Sequence, residues 1–156
     1  MRSILFVCTA NLCRSPCAEA VFRSLLAKSG LSGMIEVDSA GTHASMAGAP
    51  PFPLAAQEAA RRGYDVSACV ARQIGMGDFD RFDMILVMDK KNRAHLQRIV
   101  PSHCKSKIEL LLEYGDKYYG RDVPDPIGGG APAFKTMLDM VEDGCRGLTQ
   151  LLARAA

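Results

Sequence analysis

A chain of 156 residues with 48% hydrophobic content has the apolar material for one well-filled core, and a formal net charge of +2 is too small to mark a nucleic-acid binder. No apolar window approaches the roughly 20 residues a membrane helix needs, and the first apolar run is too short for a signal peptide. A cytoplasmic protein folded as one domain over residues 1–156, without membrane insertion, is the expectation.

Ile4-Leu5-Phe6-Val7 is apolar throughout, the pattern of a parallel strand covered on both faces. Cys8 to Arg14 reads as a loop. Ser15-Pro16 then opens a helix, with serine as N-cap and proline at the first helical position. Ala18, Val21, Phe22, Leu25 and Leu26 give that helix an apolar face, and Gly30 ends it. Met34 to Ala40 reads as a second strand, and Asp38-Ser39-Ala40-Gly41-Thr42 carries the chain off its end. Residues 43–53, with Pro50, Pro51 and Pro53, form a loop. Leu54 to Arg62 reads as a helix closed by Gly63, and Tyr64 to Met76 as irregular chain.

Asp83 to Met88 is the third buried run. Lys90 to Val100 reads as a helix stopped by Pro101, and Lys107 to Leu111 as a fourth strand. Leu112 to Gly130 reads as a long loop carrying Asp122-Val123-Pro124-Asp125-Pro126-Ile127; long loops in compact domains are often functional. Phe134, Met137, Leu138, Val141, Cys145, Leu148 and Leu152 mark an amphipathic terminal helix. Strands alternating with helices predict an α/β fold with a parallel sheet. Such sheets place their sites beyond the carboxyl ends of strands, where Cys8, Ser39 and Asp89 fall.

The six cysteines are Cys8, Cys13, Cys17, Cys69, Cys104 and Cys145. Without a signal peptide they read as reduced thiols rather than a disulfide framework. There is no C-x-x-C pair, and His43, His95 and His103 do not stand at the usual zinc-ligand spacing from the cysteines, so no metal is assigned.

The chemistry gathers in Cys8-Thr9-Ala10-Asn11-Leu12-Cys13-Arg14-Ser15-Pro16. A helix start leaves N–H groups unsatisfied and carries a positive dipole end. Arg14 adds a full positive charge and Ser15 a hydroxyl donor, and each favours the Cys8 thiolate, a strong nucleophile. Loop N–H groups from Thr9 to Ser15 can cradle phosphoryl oxygens while Arg14 grips two of them. Attack of Cys8 on phosphorus gives a phosphocysteine. Asp125, held between Pro124 and Pro126, is the candidate acid for the leaving group and base for the attacking water. No cofactor is required, because Arg14 and the backbone supply the positive field. Asp89 reads either as a group supporting this loop or as the N-cap of the helix that follows it.

The loop resembles the signature of the low-molecular-weight protein tyrosine phosphatases. Asp38-Ser39-Ala40-Gly41-Thr42, Ala71-Arg72-Gln73, Met88-Asp89 and Asp125-Pro126 recur in that family's order. The resemblance implies a three-layer sandwich with a four-stranded parallel sheet and the phosphate-binding loop after the first strand. It implies Cys8 as nucleophile, Arg14 as phosphate binder and Asp125 as general acid. Thr9, Ala10, Asn11, Leu12, Cys13 and Ser15 would bind substrate, and Ser39 and Asp89 would support them. Cys13 would form a reversible disulfide with Cys8 on oxidation. The implied partner is a phosphotyrosine-containing protein, a bacterial tyrosine kinase among them, met by a monomer.

Departures fall on the substrate-facing wall. The family places aromatic residues around the mouth, whereas this chain has His43-Ala44-Ser45-Met46 after the Gly41-Thr42 pair and Ile127-Gly128-Gly129 after Asp125-Pro126. Phe52 and Leu54 stand where an acidic and a basic residue are usual, and Cys69 where a histidine often is. Relatives with a Gly-Gly pair there include phosphatases of other phosphoryl groups such as phosphoarginine; Leu12, being apolar, is closer to the tyrosine type. An arsenate-reductase-like thiol enzyme is the remaining alternative. It needs relay cysteines after the third strand, where Val87-Met88-Asp89-Lys90-Lys91 stands.

Overall fold

The computed structural model describes residues 2–104 and 106–155. Four parallel strands form one sheet: β1 (Arg2–Cys8), β2 (Ile35–Gly41), β3 (Met84–Val87) and β4 (Lys107–Leu110), in spatial order β2-β1-β3-β4. The first strand therefore sits inside the sheet and is paired along both edges, which is why its run carries no polar alternation.

Strand geometry sends alternate side chains to opposite faces. Ile4, Phe6 and Cys8 face a core built with α1 (Arg14–Lys28), α2 (Pro53–Arg61) and α5 (Gly130–Ala155). Leu5 and Val7 face a smaller core with Phe79 of α3 (Asp78–Arg81) and Leu96 of α4 (Lys90–Ile99). The result is helix, sheet and helix in three layers. α5 packs closely on the one-turn 3₁₀ helix Leu111–Tyr114: a Cβ on Gly147 would lie 1.7 Å from the Tyr114 carbonyl oxygen, so only glycine fits there. Asp143 of α5 accepts from the N–H groups of Asp116 and Tyr118 and fixes the chain that leads to Asp125.

Several expectations need correction. α1 starts at Arg14, with Cys13 in the N-cap position, so Ser15 lies within the first turn and caps nothing. Its hydroxyl is taken up by Cys8 instead. Leu111–Tyr114 forms a 3₁₀ helix at the start of the expected long loop. The four-residue α3 was not expected, being too short to show periodicity. β2 begins and ends one residue later than its apolar run suggested, and β3 loses Asp83 and Met88 at its ends.

Candidate active site

Cys8 is the last residue of β1 and is level with Gly41 of β2. The chain then wraps through residues 9–13 into α1. Its carbonyls are turned outward: those of Cys8, Thr9 and Leu12 accept from the N–H groups of Thr42, His43 and Phe52, each at 2.9 Å. Among the described residues the N–H groups of residues 9–13 have no protein acceptor, so the loop is a nest of donors. Gly41 makes room for it. A Cβ there would lie 2.6 Å from the Thr9 carbonyl oxygen and 3.1 Å from the Asn11 nitrogen.

Asn11 holds the loop's shape. Its φ of 59° is left-handed, which asparagine tolerates better than most residues. Its side-chain oxygen accepts from the Arg72 N–H at 3.0 Å. Its Nδ2 donates to Ser15 Oγ at 2.7 Å and to Ser39 Oγ at 3.1 Å. Ser39 in turn donates to Glu19 Oε1 at 2.8 Å. This chain has a direction. The Glu19 carboxylate can only accept, so the Ser39 proton goes to it and the Ser39 oxygen accepts from Asn11. Ser15 likewise accepts from Asn11, and its own proton has two acceptors in reach, Cys8 Sγ at 3.0 Å and, more distant, the Ala40 carbonyl at 3.4 Å. The site thus sets a hydroxyl donor beside the sulfur.

Arg14 is 2% exposed. Its Nη1 donates to Asp89 Oδ2 at 2.8 Å and to the Val123 carbonyl at 3.0 Å, and its Nη2 reaches Thr9 Oγ1 at 3.4 Å. Nε and the second Nη2 hydrogen have no protein acceptor among the described residues, and they form the edge of the fork that suits two oxygens of one anion. Asp89 fills both roles read for it. It pairs with Arg14, and it caps α4 by accepting from the Asn92 N–H at 2.8 Å while Asn92 reaches back. The Asn92 amide also donates to Thr9 Oγ1 at 3.1 Å.

Val123 ties the acid loop in place, its N–H donating to the Met88 carbonyl at 2.8 Å. Two residues on, Asp125 is exposed, and its Oδ1 accepts from the Ile127 N–H at 3.1 Å. Cys8, Ala10, Leu12, Cys13, Arg14, Asp125 and Ile127 line one narrow cleft. Burial and the nearby Cys8 and Asp125 charges push the Cys13 thiol up to about 12, against the pull of Arg14, so Cys13 is a neutral thiol at ordinary pH. Burial also raises Cys69 to about 12, helped by Glu19, and raises Cys17 further.

Comparison with known proteins gives this arrangement its family. The family model described as low molecular weight phosphotyrosine protein phosphatase matches residues 3–156. The chain belongs to that family. It is 40% identical over 153 residues to the low molecular weight protein-tyrosine-phosphatase YfkJ of Bacillus subtilis, covering 98% of this chain and 95% of the relative. A crystal structure of a protein tyrosine phosphatase from Entamoeba histolytica superposes with a TM-score of 0.94 at 33% identity, over 99% of both chains. A structure of YwlE arginine phosphatase, a cysteine-to-serine mutant with a phosphorylated active-site serine, superposes with a TM-score of 0.86 at 29% identity, over 96% of this chain and 95% of that one.

The protein is thus a phosphatase of the low-molecular-weight family, with the fold its relatives share. Glu19 and Asn92 went unread in the sequence. Asn92 had a signal, the D-x-x-N spacing from Asp89 that suits a reciprocal cap. Glu19 had none, because its partners Ser39 and Cys69 lie 20 and 50 residues away. Cys104 bonds Asp80 before the amino end of β3, on the rim opposite Cys8, so it supplies no relay thiol to the site.

Proposed function

We propose that the protein hydrolyses phosphotyrosine through a phosphocysteine. The observation that carries this reading is that Cys8, Arg14 and Asp125, from three separate parts of the chain, line a single cleft whose floor is a nest of N–H donors. The phosphoryl oxygens occupy the nest and the free edge of Arg14. Cys8 Sγ attacks phosphorus while the Asp125 carboxyl gives its proton to the departing phenolate oxygen. The Asp125 carboxylate then takes a proton from water, whose oxygen attacks the phosphocysteine and releases inorganic phosphate and the Cys8 thiolate. The donors match the charge on the equatorial oxygens through both steps. The phosphorylated active-site serine in the YwlE mutant supports a covalent phosphoenzyme. Oxidation of Cys8 to a sulfenic acid would let the Cys13 thiol displace water and close a protecting disulfide.

A second reading, phosphoarginine as substrate, is favoured by one observation: among the described residues none that lines the cleft is aromatic. Turnover of phosphotyrosine, phosphoserine and phosphoarginine peptides distinguishes the readings. Phosphotyrosine is the expected substrate; faster phosphoarginine turnover selects the second. Cys8→Ser is expected to abolish hydrolysis, and Asp125→Asn to slow it more for poor leaving groups than for good ones. Hydrolysis undiminished in Cys8→Ser overturns the covalent mechanism.

A further inference from the structure

The active site lies beyond the carboxyl ends of the strands. The opposite rim carries a separate cluster. Asp80 comes from α3, immediately before β3, and His103 and Cys104 from the turn before β4. One ligand atom from each lies within 4.8 Å of the others, and among the described residues no other group of three does so. Cys104 Sγ is 3.1 Å from Asp80 Oδ1, and His103 Nε2 is 4.0 Å from that same oxygen. We propose that Asp80, His103 and Cys104 form a surface site for a zinc-class divalent cation.

Three arguments support it. The first is distance. A centre equidistant from three atoms spaced in this way lies about 2.5 Å or less from each, close to the roughly 2.0–2.3 Å that zinc takes to oxygen, nitrogen and sulfur. Side chains that are exposed or half-buried can close the remaining few tenths of an ångström. The second is chemistry. Thiolate, imidazole and carboxylate together suit a borderline-soft ion such as Zn²⁺ or Co²⁺, and are a poor set for Mg²⁺ or Ca²⁺. On binding, the Cys104 proton passes to solvent and the sulfur's electron pair goes to the metal, while water completes the fourth position.

The third argument is that the two halves of the site are fastened together without the ligands' help. The Ser106 hydroxyl reaches the carbonyls of Phe79 and Phe82, which bracket Asp80. The Cys104 N–H donates to the Pro101 carbonyl at 3.1 Å and sets the turn. Beside the cluster is a cavity of about 420 Å³, open to solvent, lined by Asp80 and His103 together with Phe79, Phe82, Asp83 and Lys107, which gives an ion access. The Asp83 carboxylate adds negative charge to this rim, and Lys107 offsets it. A bound ion would cross-link α3 to the turn before β4 and shield Cys104 from oxidants, with no path to the phosphate loop.

The test titrates full-length Cys8→Ser protein, which removes the catalytic thiol as a competing ligand, with Co²⁺ and then Zn²⁺. One equivalent of Co²⁺ is expected to produce a thiolate-to-cobalt charge-transfer band that Zn²⁺ bleaches. Cys104→Ser in that background is expected to remove the band. His103→Ala and Asp80→Ala are expected to weaken Co²⁺ binding by more than the roughly 10–100-fold that loss of an outer-shell partner costs. With Cys8 restored, all three variants retain phosphatase turnover, which shows that they fold. Absence of the band at one equivalent, or its persistence in Cys104→Ser, overturns the proposal.

Discussion

Asp89 pairs with the buried Arg14 through Oδ2 at 2.8 Å while its Oδ1 caps α4 at 2.8 Å, so one carboxylate both neutralises a buried arginine and starts a helix. A positive charge at a helix start opposes the dipole, and Asp89 is the anion that makes Arg14 tolerable in the first turn of α1 before substrate arrives.

Two substitutions separate these duties. Asp89→Ala loses the cap, which costs about 1 kcal/mol of stability, and frees the guanidinium to leave its fork geometry. With a charge-assisted hydrogen bond worth about 1.5–3 kcal/mol, kcat/KM is expected to fall at least about tenfold. Asp89→Asn keeps an oxygen that can accept from Arg14 and a side chain that caps well. It is expected to recover most of both losses in steady-state assays with an aryl phosphate and in thermal melts. Equal damage from both substitutions would show that charge, not orientation, is what Arg14 requires.

The directed chain from Glu19 through Ser39, Asn11 and Ser15 to Cys8 predicts a remote effect on catalysis. Glu19→Gln supplies an amide that can donate to Ser39, whose own proton then points at Asn11 Nδ2, a group that only donates; the Asn11 amide must turn away, and Ser15 loses the donor that leaves its proton for sulfur. A loss of about tenfold in kcat is expected, equivalent to about 1.4 kcal/mol. In a Ser15→Ala background the same substitution should cost little, because its route to the sulfur is gone. Additive losses in the double mutant would mean that Glu19 acts by another path, such as its ion pair with Arg23.

Gly41 offers a steric test of the loop. Its alanine variant would place a Cβ 2.6 Å from the Thr9 oxygen, against backbone that cannot rotate away. Overpacking of this kind costs about 1–3 kcal/mol. Because the pressure falls on the donor nest, phosphate inhibition is expected to weaken alongside the melting temperature. Gly147→Ala meets the Tyr114 carbonyl instead and is expected to lower stability while leaving the phosphate affinity of the folded fraction unchanged.

The sequence revealed most where the chemistry is local. The unbroken apolar run of β1 announced a doubly covered strand, and Cys8, Arg14, Ser15 and Pro16 lie close enough together to be read as one device. What escaped depends on contacts between distant segments. Ser15 has the propensity of an N-cap, but helix α1 begins two residues earlier than that cap would set and the hydroxyl serves Cys8, so tertiary demand outranked local preference. The Asp125 loop is anchored by Val123, which bonds Met88 and Arg14 across 35 and 109 residues, and no periodicity reports such a link. The expected gap in the aromatic wall agrees with a cleft lined by Leu12 and Ile127.

A last prediction concerns alkaline stability. The Tyr64 hydroxyl donates to Glu142 Oε2 of α5, and Arg62 pairs with the same carboxylate, so this cluster fastens the chain after α2 to the terminal helix. Burial, then the hydrogen bond and charge of Glu142, push Tyr64 up to about 12. The folded state therefore favours the neutral phenol. A raised folded pKa contributes stability that is fully present below the unfolded value of about 10 and is lost as pH rises through the folded value. Melting temperatures of the wild type should fall across that window, and the fall should be shallower in Tyr64→Phe, which starts lower because it lacks the hydrogen bond. Tyr114, raised to about 12 by burial and Glu109, contributes in the same window, so the slope is expected to shrink in Tyr64→Phe without vanishing. Parallel curves for the two proteins would show that the Tyr64 contact to Glu142 carries none of the alkaline sensitivity.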